Sequence, residues 1–191
     1  MNSIALFPLN IVLFPEGALP LRIYETRYVD MVRRCMRESQ GFGVVLIREG
    51  REAGGGDVEL HAVGTMAEIA DFHQLQDGLL GLSCLGRQRF RIVERRRQSD
   101  GLHLAAVQWL DAEPLLAVPP RHARLAELLR TVLPELGEVY TDIPMRLEDA
   151  AWVGHRLAEI LPIPLAEKQL YLEIDDPIDR LDRLAPRTPL A

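Results

Sequence analysis

The sequence predicts an α+β protein, β-rich in its first part and helical in its second. Three observations carry this. Short apolar runs broken by prolines and glycine turns fill the first 112 of the 191 residues. Beyond about residue 120, apolar residues recur at helical spacing. Between these parts, Glu113 to Pro120 (EPLLAVPP) fits neither pattern. The expected organisation is a β-rich part over 1–112 with one inserted helix at about 26–38, a linker at 113–120, a helical part at 121–185 and a frayed tail at 186–191.

Ile4–Phe7, Ile11–Phe14 and Leu19–Ile23 are predicted strands. The prolines between them cannot donate to a ladder, so these strands should be short and lie at edges or beside bulges. Thr26 to Glu38 reads as a helix, with Thr26 as its candidate cap. Tyr28, Met31, Val32, Cys35 and Met36 share one face, and Gln40-Gly41 closes it. Phe42–Ile47 is compact and apolar, as a buried strand is. Arg48 to Gly56 reads as a loop whose Gly54-Gly55-Gly56 forms a hairpin tip. It lacks the Gly-Lys-Ser/Thr ending that a phosphate cradle needs. Four further strands are expected at His61–Ala70, Gly78–Leu85, Arg89–Arg95 and Leu102–Leu110, with turns at Asp77-Gly78 and Asp100-Gly101. So many short strands suggest a barrel or a sandwich.

In the second part, Leu125, Leu128, Leu129 and Val132 form one amphipathic face. Asp149–Leu161 is anchored by Trp152, Val153, Leu157 and Ile160, and Pro162-Ile-Pro164 ends it. Ala166–Glu173 is a third helix. Pro177 opens a fourth, Ile178–Leu184, with Asp175-Asp176 at its start, where negative charge favours the helix dipole.

Composition narrows the function. The net charge is -6 and the pI about 5.4, so the chain has no global attraction for phosphate backbones, which disfavours nucleic acid as main partner. The positive charge is nearly all arginine, Lys168 being the only lysine. Cys35 and Cys84 form no CxxC pair and read as buried, reduced thiols. The apolar N-terminus has no basic region and is interrupted by Pro8, Asn10, Pro15 and Glu16, unlike a signal peptide. No run of 18 apolar residues marks a membrane span. The expected location is the cytoplasm.

No catalytic centre is visible. The serines Ser3, Ser39, Ser83 and Ser99 lie in no GxSxG, and Lys168 has no serine nearby in sequence. His61, His73 and Cys84 match no zinc spacing, so neither a metal nor another cofactor is expected. The strongest charge feature is Arg87, Arg89 and Arg91, followed by Arg95, Arg96 and Arg97. On a strand the first three share one face and leave Phe90 and Ile92 to pack inward. That face is a candidate anion-binding site.

One string stands apart: Leu6-Phe-Pro-Leu9, Val12-Leu-Phe-Pro15, then Leu19-Pro-Leu-Arg-Ile-Tyr-Glu-Thr-Arg-Tyr28. It resembles the opening of the Lon N-terminal domain, the substrate-recognition region of ATP-dependent Lon proteases, with Tyr24 in place of the family's usual Phe. The resemblance runs on through Phe42-Gly-Val-Val, Val63-Gly-Thr-Met-Ala-Glu-Ile, Leu85-Gly-Arg-Gln-Arg-Phe-Arg-Ile92, Glu167-Lys-Gln-Leu-Tyr-Leu-Glu173 and Arg180-Leu181. It implies a PUA-like β pseudo-barrel followed by a C-terminal helical bundle. Neither the Walker A loop nor the Ser–Lys peptidase of Lon is in this sequence. The resemblance therefore implies a stand-alone, non-catalytic module that binds unfolded or extended polypeptide, with a role in protein quality control. Phe7, Leu9, Phe14, Pro15, Tyr24 and Tyr28 are its candidate peptide-binding residues. Two other readings follow: an RNA- or anion-binding PUA-like module using the Arg87–Arg97 strand, and an adaptor docking in trans onto an ATPase or protease.

Overall fold

Among its described residues, the proline- and glycine-broken first part folds into seven strands and one helix: β1 (Ser3–Leu9), β2 (Ala18–Ile23), α1 (Thr26–Glu38), β3 (Phe42–Glu49), β4 (Glu59–Leu60), β5 (Val63–Gln74), β6 (Leu80–Arg97) and β7 (His103–Trp109). The computed structural model describes residues 3–51, 58–136, 140 and 144–188. It divides into two compact units, Met1–Asp111 and Ala112–Ala191. The expected Gly54-Gly55-Gly56 hairpin tip lies outside the described residues.

In the first unit the strands run β1-β7-β6-β5-β3-β4, and a parallel β1–β3 pairing closes β1, β7, β6, β5 and β3 into a ring, with β4 outside it. The overall class is α+β. β1 is apolar on both faces because both are covered. Phe7 and Leu9 join a core with α1 residues Tyr28, Met31, Val32 and Cys35. Leu6, its pleat neighbour, packs with Val45, Phe90 and Ala105 in a second cluster. Gly43 and Gly64 make room for Phe90: a Cβ on either would lie 2.6 or 2.9 Å from its ring.

Three expectations change. Ile11–Phe14 is no strand. Thr65 Oγ1 donates to the Leu13 carbonyl and Gly17 N–H to that of Phe14, so the backbone turns while Val12, Leu13 and Phe14 bury their side chains. Gly78–Leu85 and Arg89–Arg95 are one 18-residue strand, β6. Gly86 does not break it. It lets the Phe14 carbonyl approach to where a Cβ would sit at 2.1 Å. Glu25 rather than Thr26 is the cap residue of α1, and its side chain makes no capping bond. The two Asp-Gly turns form as expected. Gly78 and Gly101 take φ of 82° and 86°, and Asp77 and Asp100 accept the Leu79 and Leu102 N–H groups.

The second unit holds α2 (Ala123–Val132), α3 (Ala150–Ile160), α4 (Leu165–Glu173) and α5 (Pro177–Leu184). Asp149 and Asp176 cap α3 and α5 with side-chain carboxylates. The 113–120 segment, expected as a linker, is built into this unit: Ala117 bridges to Asp149, and Val118 N–H donates to the Glu148 carbonyl. Of the expected frayed tail, Arg187 pairs with Glu167 and Thr188 is buried, while 189–191 lie outside the described residues. Lys168 Nζ donates to the Glu159 carbonyl at 2.6 Å, tying α4 to α3, and burial lowers its pKa.

A buried charge cluster holds the unit together. Arg180 of α5, fully buried, donates to both Glu113 oxygens at 2.7 and 2.6 Å and to the Tyr171 carbonyl at 2.9 Å. His155 Nε2, on α3, lies 3.1 Å from Glu113 Oε1. Burial pushes the Glu113 pKa up, but the hydrogen bonds from His155 and Arg180 outweigh it and bring it to about 2. Burial, then the Arg180 guanidinium, depress His155 to about 3, so it is neutral at pH 7.

Two predictions follow from this cluster. Glu113→Gln strands the Arg180 charge and should cost about 3–5 kcal/mol in urea unfolding. His155 has a folded pKa below its unfolded value, so its contribution is present above pH 6.5 and is lost as pH falls from about 6.5 toward about 3. Unfolding free energy measured between pH 7 and 5 should therefore fall with acid in the natural sequence, and less steeply in His155→Gln.

Candidate functional site

Of the six candidate peptide-binding residues, Phe7, Leu9, Phe14 and Tyr28 are core: each is 6% exposed or less. Their side chains therefore pack inside the first unit and offer no exposed surface. Phe7 stacks on Tyr28 with ring centroids 4.0 Å apart and meets Phe42 at 5.8 Å. Phe14 lies inside the turn before β2, and Pro15 is half-buried. Only Tyr24, between β2 and α1, is open, at 58% exposed.

Four of the six nevertheless meet at one place. Phe7, Leu9, Tyr24 and Tyr28 line a cleft of about 230 Å³, together with Pro20, Leu21, Arg22, Ile23 and Glu25. The joint above it is fixed by charge: Arg27 pairs with Glu25 at 2.8 Å, donates to the Gly101 carbonyl at 3.0 Å and lies 4.6 Å from the centre of the Tyr28 ring. Arg22 pairs with Asp77.

Two larger clefts continue from there along α1. One, about 510 Å³, begins at Ile23 and Tyr24 and runs between Val29, Val32, Arg33 and Met36 of α1 and Phe72–Gln74 and Gly78–Leu80 of the β5–β6 hairpin. The other, about 490 Å³, shares Met36 and Phe72 with it and extends past Cys35, Gly41 and Ile69 to Glu68 and Arg87. Exposed apolar groups mark the shared walls: Tyr24, Met36 and Phe72, the last 53% exposed. Met36 sits on the predicted apolar face of α1. Phe72 falls beyond the predicted end of its strand at Ala70, and no sequence pattern marked it. The two cysteines are buried, and burial raises both thiols, Cys84 to about 12.

The arginine face is not assembled. Arg87 gives a two-pronged bond to Glu68 at 2.7 and 3.1 Å. Arg89 is 3% exposed, whereas Arg91 is open to solvent. A bulge sets Arg87 apart from the other two: Thr65 pairs with Arg89 but Ala67 pairs with Gly86, which places one extra β6 residue between them and reverses the alternation there. Arg87 thus leaves the face that strict alternation predicts, while Arg89 and Arg91, paired in regular register with Thr65 and Val63, keep it but differ in burial. Among the described residues no three His, Cys, Asp or Glu side chains gather as a metal site, and no helix is long and apolar enough to cross a membrane.

The first unit is thus a strand ring closed by β1–β3 with apolar clefts beside its first helix. The chain belongs to the family of ATP-dependent protease La (LON) substrate-binding domains, whose family model matches residues 3–186. It is 28% identical to Lon protease 2 of Myxococcus xanthus over 172 residues, which is 87% of this chain and 21% of that protein. It is 36% identical to protein cereblon of Gallus gallus over 103 residues, 52% of this chain and 22% of that protein. The chain thus spans about a fifth of the length of these relatives. Among solved structures, a Lon N-terminal domain protein from Xanthomonas campestris superposes with a TM-score of 0.83 at 36% identity, covering 99% of this chain and 100% of that one. The N-terminal domain of a Mycobacterium avium complex Lon protease shares the fold alone, with a TM-score of 0.66 at 14% identity over 97% of each chain.

These placements separate core from surface. Phe14→Ala should cost about 3–5 kcal/mol, whereas Tyr24→Ala should stay within about 0.5 kcal/mol, both measured by urea unfolding of the first unit's signal.

Proposed function

We propose that this chain is a non-catalytic substrate-recognition module that holds unfolded or extended polypeptide along the α1 groove, in the service of an ATP-dependent protease and of protein quality control. The observation that carries the reading is the row of three clefts from Phe7 and Tyr28 past Tyr24 to Met36 and Phe72, neighbours that share the apolar walls Ile23, Tyr24, Met36 and Phe72. Unfolded chains differ from folded ones in offering apolar side chains and free backbone together, and such a groove takes both. The family's own description as a substrate-binding domain points the same way. The anion-binding reading has less support, since Arg87 is neutralised by Glu68 and Arg89 is buried.

The test is binding of reduced, carboxymethylated α-lactalbumin, which stays unfolded, compared with its native form. The natural sequence should retain the unfolded form selectively. The double variant Tyr24→Asp, Met36→Asp should lose at least about tenfold in affinity, because it sets charge on two walls of the groove, with its circular dichroism unchanged. Equal binding of native and unfolded forms, or an unaffected double variant, defeats the reading.

A further inference from the structure

β5 outruns its neighbour. Thr65 to Ala67 pair with Val44 to Phe42 of β3, but over Glu68–Gln74 the strand pairings of β5 among the described residues are with β6 alone. The hairpin fixes which backbone groups face outward. Leu75 N–H donates to the Leu79 carbonyl at 2.8 Å. In an antiparallel ladder hydrogen-bonding residues alternate, so Leu75 and His73 face β6, while Gln74 and Phe72 turn their N–H and C=O to the other side. There the Phe72 N–H is met by the carboxylate of its own neighbour, Asp71 Oδ1, at 2.8 Å.

The space beside this edge is open. Glu68, Ile69, Ala70, Asp71 and Phe72, five residues in succession, all line the 490 Å³ cleft. Successive side chains of a strand point to opposite faces, so a cavity touched by every residue in turn lies beside the edge and not over one face. The 510 Å³ cleft adjoins it at Met36 and Phe72 and runs across the hairpin end, where His73, Gln74, Leu80 of β6 and Ile23 of β2 line it opposite α1.

Resting on the recognition reading above, we propose that the bound polypeptide adds to β5 as a further strand, lying between the Glu68–Gln74 edge and α1. The edge itself selects this occupant. Outward N–H and C=O groups at strand spacing are matched by another extended backbone, and matched without regard to its sequence. Met36, Ile69 and Phe72 supply apolar walls for alternate side chains of the guest. Seven residues of edge span roughly 23 Å at about 3.3 Å each. A register shift at Ala70 bends the strand there, and a carbonyl of the guest takes the Phe72 N–H from Asp71.

Backbone chemistry tests this. A ten-residue peptide chosen by tiling α-lactalbumin is made with N-methyl groups on alternate amides, in the two staggered registers. Strand addition predicts that one register loses binding by at least about tenfold, the worth of one or two backbone hydrogen bonds, while the other binds like the parent. Phe72→Pro removes an outward donor that the β6 ladder does not use, a substitution edge strands tolerate. It should weaken the parent peptide more than Phe72→Ala, which keeps the donor. If both methylated registers bind like the parent, or folded Phe72→Pro does, strand addition is wrong and the recognition reading stands. If the unmodified peptide and the unfolded protein both fail to bind the natural sequence, the recognition reading itself falls. A homodimer seen by sedimentation and dissolved by Phe72→Pro makes a second copy the occupant and also overturns the proposal. The methylated series requires no variant to fold, so it decides the matter even if Phe72→Pro does not.

Discussion

The first unit depends on how α1 seats on the strand ring. Tyr28, in the first turn of the helix, lies face to face with Phe7 of β1, and Phe7 in turn touches Phe42 at the start of β3. Three rings therefore join the helix to the two parallel strands that close the ring. Aromatic contacts of this kind bury large area and prefer particular geometries, so they set orientation as well as stability. With Tyr28 held, Met31 and Val32 follow into the core one turn on and Cys35 two turns on. Met36 is carried to the flank, and the groove is the space left between that flank and the β5–β6 hairpin. Its shape follows from core packing several residues away, which is why the residues that build it and those that border it belong to one short stretch of sequence.

That stretch was legible as architecture and much less as a surface. Proline punctuation, the helical spacing from Tyr28 to Met36 and the two Asp-Gly turns were enough to place the elements, because each acts through local backbone geometry. Burial is a different matter. Phe14 and Tyr24 look alike in sequence: each is an aromatic at the end of a short apolar run that holds or borders a proline. One is fully enclosed because Thr65 and Gly17 turn the backbone inward at Leu13 and Phe14, and that contact is made by a residue 52 positions away. The arginines show the same limit. Alternation is a sound rule within a regular strand, yet one extra residue between Gly86 and Arg89 reverses it, and nothing local in Gly-Arg-Gln-Arg signals the bulge. Phe72 escaped notice for a related reason, since it gains its role only from α1 packing opposite.

The second unit makes a comparable point with charge. Glu113 sits in a proline-flanked apolar stretch and reads as a connector, but it is the carboxylate on which α3 and α5 converge. A buried acid with two partners from distant helices specifies one arrangement, because any other leaves Arg180 without its counter-charge. The neutral His155 fits this account: a second cation beside Arg180 would be repelled, so the ring serves Glu113 as a hydrogen-bond donor.

Lys168 has a practical meaning beyond its place in α4. It is the only lysine in the chain, it is half-buried, and its amine is held by the Glu159 carbonyl. Amine-directed chemistry, whether a fluorophore ester, a cross-linker or a lysine-targeted tag, therefore meets one side-chain site, and that site reports whether α3 and α4 are still in contact. The groove beside α1 carries no lysine at all, so a guest's own amines stay distinguishable from those of its host in any cross-linking map of the complex.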